Sequence, residues 1–327
     1  MRTFPYAKAA GGGAIAGVLC GAGAGALWGL VFLAPELVHE FRPLDLAIGR
    51  YLAYGLISAA LISPRLRPLL PKVTWREWTA LVWLSLTGNT LYYILLSTAV
   101  QTGGIAITSL IIGFLPVAVT IVGSRDRGAV PLGQLAPSLL LCVGGAVCIG
   151  WQAIVAPAAE SATLEASGLL CAAGALVSWT IYAIGNARSL VRLRGVSAHD
   201  WNLLTGVVTG AQSLLLIPIA LLLGGAHHAP TEWARFAGVS GGVAILASIA
   251  GNGLWNRMSR LLPLTLVGQM ILFETLFALL YGFLWERRLP TPLELAAFAL
   301  VVLSVVTCIG AHRKPARAAE LGAASPG

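Results

Sequence analysis

Residues 11–34 read GGGAIAGVLCGAGAGALWGLVFLA and contain no charged side chain. A bilayer core needs about 20 apolar residues in helical form to cross it, so this stretch predicts a membrane span. It exceeds the roughly 7 to 15 apolar residues of a secretory signal, and we expect a first transmembrane helix rather than a cleaved leader. Glycine recurs at every fourth position, which predicts one smooth helix face suited to close packing. These glycines are Gly13, Gly17, Gly21, Gly25 and Gly29.

Nine further apolar runs of spanning length follow along the chain. They lie at about 44–63, 79–99, 103–123, 135–156, 166–187, 201–223, 236–256, 265–285 and 292–311. The composition agrees, since 57% of residues are apolar and 10% are charged, against roughly 25% charged in a soluble domain. We therefore predict an all-α membrane protein with ten transmembrane helices. The short connection at 101–103 predicts a tight turn between the third and fourth spans.

The basic residues test this count, because cytoplasmic loops carry the excess of Lys and Arg. With the N-terminus in the cytoplasm, 16 of the 21 Lys and Arg residues fall on the inner side. Four fall outside, namely Arg42, Arg235, Arg287 and Arg288, and Arg50 lies within the second span. We predict a multi-pass protein of the plasma (inner) membrane with both termini cytoplasmic. Because the basic residues are scattered singly between apolar runs, no binding of nucleic acid is expected.

The chain resembles itself at an offset of about 150 to 165 residues. Four features recur in order: Trp28 with Trp179, Asp45 with Asp200, GNTLY at 88–92 with GNGLW at 251–255, and VCIG at 147–150 with TCIG at 307–310. We predict two five-helix repeats, residues 1–160 and residues 161–327, the second ending in a short basic cytoplasmic tail. An odd number of spans per repeat makes the two copies inverted, an arrangement typical of secondary transporters. The plainer alternative is that duplication only built a stable bundle.

Several short motifs support a family resemblance. They are ALWG at 26–29, GRYLA at 49–53, LPV at 115–117, FETL at 273–276 and LWER at 284–287. With these motifs the chain resembles the drug/metabolite transporter (DMT) superfamily, in its ten-helix branch with two EamA-type repeats. It departs from the family pattern at Thr275, where proline is usual, and at Asp126, where many members have glutamate.

The resemblance implies a bundle in which spans one to four and six to nine surround a central cavity, with spans five and ten outside. It also implies transport of a small metabolite, amino acid or drug. Many members of the family are exporters, and coupling to protons is common among them.

Two charged residues lie inside predicted spans, where an ionised side chain costs about 2.5 to 3.5 kcal/mol on insertion scales. Glu274 stands near the middle of the ninth span. Its functional interpretation is a carboxylate that takes up a proton or pairs with a cationic substrate group, and the alternative is a protonated glutamate that only bonds a neighbouring helix. For Arg50 in the second span, one interpretation is that it neutralises an anionic substrate or pairs with Glu274. The other is that it extends outward to lipid headgroups.

Polar and aromatic residues complete the candidate substrate-binding or coupling site. Asn89 and Asn252, at equivalent repeat positions, either line the cavity or bond helices together, and bonding is favoured. Candidates for an aromatic wall are Tyr92, Tyr93, Trp179 and Tyr182, although interface placement or packing explains aromatic residues more often. Trp28 is the aromatic residue that its family position favours most.

The sequence predicts no cofactor, no metal site and no enzyme activity. Its five histidines lie in or beside loops, and its five cysteines lie in apolar runs without paired spacing. A P-loop motif is missing from the sequence, which favours gradient-driven transport over ATP hydrolysis. We expect a permease that moves a small molecule across the bilayer by alternating access, as a monomer or homodimer. Two alternatives stay open: a non-transporting membrane subunit, and a membrane enzyme acting on a lipid-linked substrate.

Overall fold

The computed structural model describes residues 12–38, 40–126, 129–155, 162–193, 195–224, 227–287 and 289–323. Regular structure in these ranges is helical throughout. The α-helices are α1 (Gly12–Gly29), α2 (Ala34–Leu37), α3 (Pro43–Ile62), α4 (Leu66–Leu69), α5 (Trp75–Ser85), α6 (Leu91–Ile112), α7 (Leu115–Gly123), α8 (Leu132–Val155), α9 (Ala162–Arg192), α10 (Ala198–Leu222), α11 (Pro230–Val243), α12 (Asn252–Leu261), α13 (Leu264–Met270), α14 (Leu272–Glu286) and α15 (Pro292–Ala323).

Two π-helical segments join α-helices into longer rods. The first π segment, Leu86–Thr90, connects α5 to α6, and the second π segment, Ala244–Gly251, connects α11 to α12. Both lie in the third span of a predicted repeat, beside the matching motifs GNTLY and GNGLW. Short 3-10 turns occur at Leu30–Leu33, Ser63–Arg65 and Leu70–Lys72.

Within the described ranges, seven helices are long and apolar enough to cross a membrane. They are Pro43–Lys72, Trp75–Ala99, Ser167–Arg192, Ala198–Leu222, Pro230–Leu261, Leu264–Trp285 and Pro292–His312, and Gly13–Gly29 and Leu132–Cys148 are shorter apolar helices. Each of the nine overlaps one predicted span. The prediction of an all-helical membrane protein is therefore confirmed. The fourth predicted span, at 103–123, has no counterpart among these nine helices and is divided between the end of α6 and α7.

The region of the fourth span differs from the prediction in its local structure. Helix α6 continues through residues 101–103, and the Thr102 hydroxyl donates to the Thr98 carbonyl at 2.8 Å as in a regular helix. The break falls instead at Gly113 and Phe114, and α7 then starts with Pro116 in its first turn. The prediction of a turn that interrupts the helix at 101–103 is therefore wrong.

The chain nevertheless reverses direction in this region. Three contacts show which part of the chain lies beside which part of α9. They are Leu84 with Gly185, Leu95 with Gly174, and Asp126 with Arg188. The first two show that α5 and the start of α6 run antiparallel to α9. By Asp126 the chain has returned to the level of Arg188, so the reversal lies between residues 95 and 126.

The pairs of packed helices follow a pattern that is unchanged when the two predicted repeats are exchanged. Helix α3 packs on α10, α8 packs on α15, and α7 packs on α13, and each pair joins equivalent spans of the two repeats. Helix α1 packs on α12 and α14, while α9 packs on α5, α6 and α7. The first span of each repeat thus contacts the third and fourth spans of the other.

The crossing of α3 and α10 has the same symmetry at the level of single residues. A Cβ atom on Gly55 would lie 2.6 Å from Gly210 Cα, and one on Gly210 would lie 2.7 Å from Gly55 Cα. The same Cβ atoms would approach the carbonyl oxygens of Gly206 and Tyr51, at 3.3 and 3.4 Å. Gly55 and Gly210 are separated by the same number of positions as Asp45 and Asp200. The backbones of α3 and α10 therefore approach each other most closely at equivalent positions of the two predicted repeats.

One end of the bundle, which we call the basic end, carries Arg65, Arg67, Lys72 and Arg76 and the loop after α7. Two ion pairs join elements there, Arg65 with Asp200 at 3.4 Å and Arg188 with Asp126 at 2.8 Å. Of the basic residues counted in the sequence, Arg2, Lys8, Arg127, Arg194 and Arg288 lie outside the described residues.

The opposite end joins the loop after α2 to the start of α11. Glu40 forms an ion pair with Arg235. The Phe41 ring stacks on the His228 ring with centroids 4.0 Å apart and on the Phe236 ring at 4.4 Å. At each end of the bundle, contacts therefore join the two predicted repeats.

Candidate functional site

The seven candidate residues come from both predicted repeats, and their contacts bring them to neighbouring helices inside the bundle. They are Trp28 on α1, Arg50 on α3, Asn89 in the first π segment, Tyr92 on α6, Tyr182 on α9, Asn252 on α12 and Glu274 on α14.

Arg50 is turned into the protein. Its side chain is 7% exposed, and its Nε donates to Ser248 Oγ at 3.2 Å, in the second π segment. The guanidinium carbon lies 5.2 Å from the centroid of the Tyr51 ring and 5.0 Å from that of Tyr93. Such cation–π contacts stabilise a cation more when it is desolvated. Arg50 is thus held among polar and aromatic groups rather than extended toward lipid headgroups.

Glu274 lies in the first turn of α14, directly after the break in the ninth span at Ile271. An acidic group in this position is favoured by the positive end of the helix dipole. A Cβ atom on Gly25 would lie 2.7 Å from Glu274 N, so α1 passes very close to this turn. The side chain is half-buried, and in the described part of the chain its carboxylate makes no hydrogen bond and no ion pair. Arg50 and Tyr92 interact with it electrostatically.

Five rings, Trp28, Trp179, Trp255, Tyr92 and Tyr182, form what we call the aromatic cluster. Trp28 packs on Trp255 with centroids 5.1 Å apart, and Trp179 packs on Tyr92 at 6.4 Å. These two contacts are equivalent under exchange of the repeats. Trp28 and Trp179, themselves equivalent, meet edge to face at 6.1 Å.

Two further contacts complete the aromatic cluster. Trp179 contacts Trp255 at 5.4 Å and Tyr182 at 5.8 Å between ring centroids. The Tyr182 ring covers Gly88, where a Cβ atom would lie 2.2 Å from ring carbons. The cluster therefore joins both repeats at the level of the first π segment.

Asn89 bonds two helices together, which is the interpretation that the sequence favoured for both asparagines, and Asn252 lies beside a tyrosine hydroxyl. Asn89 Nδ2 donates to Thr209 Oγ1 at 3.2 Å, across the two repeats. Asn252 lies beside the hydroxyl of Tyr54, and that hydroxyl donates to Asn202 O at 2.7 Å. Both amides are buried.

Side-chain donors bind the carbonyl groups of both π segments, and again the pattern is preserved when the repeats are exchanged. In the first π segment, Ser178 Oγ donates to Thr87 O at 2.7 Å and Tyr51 OH donates to Asn89 O at 3.2 Å. In the second π segment, Trp28 Nε1 donates to Ala247 O at 3.1 Å and Asn202 Nδ2 donates to Ile249 O at 3.0 Å. Each segment thus receives one donor from the first span of the other repeat and one from the second span of its own.

Sequence reasoning missed several members of this site. Ser248 contacts Arg50 from the second π segment, and no local pattern marks it. Tyr51 follows Arg50 in the motif GRYLA, and Tyr93 was a candidate for the aromatic wall, but their contacts with the guanidinium group were not predicted. Trp255 did carry a signal. It occupies the last position of GNGLW, where the other repeat has Tyr92, and the structure places both in the aromatic cluster.

The arrangement offers one buried cation, one carboxyl group and a set of aromatic faces. Arginine binds carboxylates and phosphates through two donors at once, and a carboxyl group at low dielectric exchanges a proton or a cationic partner. In the described residues, no group of three His, Cys, Asp or Glu side chains is arranged to hold a metal ion.

Comparison with known proteins identifies the class. A match to the EamA-like transporter family covers residues 15–151. The chain is also 33% identical over 320 residues to the inner membrane protein YtfF of Escherichia coli (strain K12), covering 91% of this chain and 96% of that protein. A helical membrane protein with such relatives is of the transporter type rather than an enzyme. The chain belongs to the EamA-like family of the drug/metabolite transporter superfamily.

A solved crystal structure has the same fold. It superposes on this chain with a TM-score of 0.69 at 20% sequence identity, covering 91% of this chain and 98% of that one. At this identity the likeness concerns the fold alone. The family match lies within the first predicted repeat, and the division of the chain at residue 160 stays a prediction.

Proposed function

We propose that this protein is a secondary active transporter that moves a small metabolite, amino acid or drug across the plasma (inner) membrane by alternating access. The observation that carries the proposal is the position of Arg50 and Glu274. They come from different predicted repeats, they interact electrostatically inside the bundle, and no residue in the described part of the chain bonds the Glu274 carboxylate. A group held between two moving halves can change its surroundings during transport.

The proposed architecture has ten spans in two inverted five-helix halves, with both termini cytoplasmic. The packing pattern supports this, because the helix pairs that join the two halves map onto one another or onto themselves when the halves are exchanged. The directions of packed helices support it too. Helices α1 and α12 pass each other antiparallel, as Gly21 facing Met258 and Gly251 facing Trp28 indicate. The first span and the ninth run parallel, as Gly21 facing Met270 and Gly29 facing Ala278 indicate.

In the proposed mechanism, Glu274 exchanges a proton for a cationic group of the substrate. When neither the proton nor the substrate is bound, Arg50 balances the negative charge of the Glu274 carboxylate. Breaks in the fourth and ninth spans, at Gly113 and Ile271, place free ends of helices inside the bundle. Discontinuous helices of this kind form substrate and ion sites in other transporters. Coupling to protons and export are parts of this proposal, as is function as a monomer or homodimer.

The test of this proposal is a flux measurement in proteoliposomes. The purified chain is reconstituted with a pH-sensitive dye inside, and pools of amino acids, metabolites and cationic drugs are added under an imposed proton gradient. We expect at least one pool to drive proton movement with the parent chain. Glu274→Gln keeps the size of the side chain but cannot ionise. We expect it to lower the rate of proton movement by roughly tenfold or more, because a group that transfers protons typically raises a rate by about 10²- to 10⁴-fold.

The matched control is Glu232→Gln, which removes a carboxylate at the start of α11. Glu232 Oε2 accepts from Ala229 N at 2.8 Å, and glutamine serves equally well at this capping position. Its flux should equal that of the parent. Equal flux from the parent and Glu274→Gln over the whole pH range would contradict the role of Glu274. The absence of proton movement with every pool would contradict the proposal and favour a non-transporting subunit or an enzyme acting on a lipid-linked substrate.

A further inference from the structure

A small cleft opens at the basic end of the bundle, away from the site of Arg50 and Glu274. It is a shallow depression, open to the surface, that lies between the start of α5, the end of α9 and the start of α10. Arg76 enters it from α5, Arg192 from α9, and Trp201 from α10. Helix α5 belongs to the first predicted repeat and the other two helices belong to the second, so the cleft lies across the boundary between them.

The charge in this cleft is unbalanced. In the described part of the molecule, neither Arg76 nor Arg192 lies within 4.0 Å of a carboxylate oxygen, and Arg192 donates to Ser189 Oγ at 3.2 Å. Glu77 also lines the cleft, but its Oε2 accepts from Thr74 N at 2.8 Å and from the Thr74 hydroxyl. Two guanidinium groups therefore face the cleft against one carboxylate that already caps a helix. This excess favours an anionic ligand.

The surface around the cleft indicates where such a ligand comes from. On α5, Val82 and Trp83 are exposed apolar side chains one to two turns beyond Arg76, and Trp75 beside Arg76 is 81% exposed. On α9, the exposed apolar face through Val177 and Ile181 leads toward Arg192. Exposed apolar faces on membrane helices contact lipid tails, and an exposed tryptophan at their end is typical of the headgroup level. The two arginines thus lie where lipid phosphates lie.

We propose that this cleft binds the phosphate group of an anionic phospholipid from the adjoining leaflet, which the proposed orientation makes the cytoplasmic one. Arg76 and Arg192 donate to the phosphate oxygens, since the planar guanidinium fork matches phosphate geometry. Trp75 packs beside the glycerol and upper acyl region. Because the arginines come from different repeats, a bound lipid links the two halves at this end.

The experiment measures lipid binding to the intact chain by native mass spectrometry after titration with phosphatidylglycerol or with phosphatidylcholine. The parent is expected to retain phosphatidylglycerol preferentially. The double variant R76A/R192A should bind it roughly 30-fold more weakly, from the usual contribution of two basic groups near a membrane surface. Arg67→Ala removes one charge from the same end but not from the cleft, and it should behave as the parent does.

Three outcomes would overturn the proposal. Equal retention of both lipids by the parent would do so without any variant. Equal retention of phosphatidylglycerol by the parent and by R76A/R192A would show that the cleft is not the site. If R76A/R192A fails to fold, R76Q/R192Q is compared with the parent instead. Displacement of the lipid by millimolar inorganic phosphate would identify free phosphate, not a phospholipid, as the ligand.

Discussion

Arg50 lies inside a membrane helix, yet among the described residues no carboxylate lies within ion-pair distance of it. Its charge is distributed over other partners: the Ser248 hydroxyl at 3.2 Å and the faces of Tyr51 and Tyr93. A cation supported in this way keeps donors available for an incoming group. This differs from a buried ion pair, in which both partners are already used and removal of either is costly.

Substitution of Arg50 by lysine tests whether the guanidinium geometry matters. Lysine keeps the charge but cannot both bond Ser248 and stack on two rings. The lost hydrogen bond of a charged group alone contributes about 1.5 to 3 kcal/mol. We expect solute flux in proteoliposomes to fall by roughly tenfold or more, mainly through a higher KM. Arg67→Lys at the exposed basic end is the control. Unchanged kinetics for Arg50→Lys would show that only the charge is needed.

At the scale of single elements, the two π segments are irregular parts of the spans that hold the site. A π-helical turn is rare and is often found at functional sites. Here each one turns carbonyl groups toward side-chain donors, such as Ser178 and Trp28, from the other repeat. The local sequences LTGNT and AILASIAG contain nothing that requires a wider turn. The donors that stabilise it lie far away in the chain, which is why sequence reasoning did not find these segments.

The crossing of α3 and α10 gives a prediction about stability. In Gly55→Ala the new Cβ would lie 2.6 Å from a backbone atom of Gly210, so the two helices must separate. We expect a loss of about 1 to 3 kcal/mol, the usual cost of overpacking, seen as a lower Tm of the purified chain in detergent. Gly238→Ala is the matched control, because nothing lies within 4 Å of its new Cβ.

The control variant should change stability in the opposite direction. Alanine in a helix interior is favoured over glycine by roughly 0.5 to 1 kcal/mol, so Gly238→Ala is expected to raise Tm slightly. A Tm of Gly55→Ala equal to that of the parent would mean that the crossing adjusts without cost. The close approach of the two backbones would then have no structural importance.

At the scale of the whole molecule, the proposed orientation has a direct test. Arg67 at the basic end and Thr231 at the start of α11 are both exposed. Each is replaced by cysteine in a chain whose five native cysteines have been removed. A membrane-impermeant maleimide should label Thr231→Cys in intact cells, and it should label Arg67→Cys only after permeabilisation. Labelling of both positions from the same side would contradict the proposed topology.

The sequence predicted the helices well because spanning length and polar breaks are local properties. Segments such as 201–223 and 265–285 differ from α10 and from the pair α13 and α14 by only a few residues. The cost of burying charge singled out Arg50 and Glu274 for the same reason. Contacts between distant elements were beyond such reasoning: the helix through residues 101–103, the rings around Arg50 and the donors to the π segments all depend on tertiary packing.

The contact between Gly55 and Gly210 has a consequence for how the molecule moves. If the two halves are related by a twofold axis, this contact lies on the axis, because each glycine meets its own counterpart. Exchanging the conformations of the halves maps the contact onto itself. It therefore need not break between the two states, whereas Glu40 with Arg235 at one end and Asp126 with Arg188 at the other stand far from the axis. Under the proposed alternating access, we expect the two glycines to stay in contact as a pivot while the two ends of the bundle open in turn.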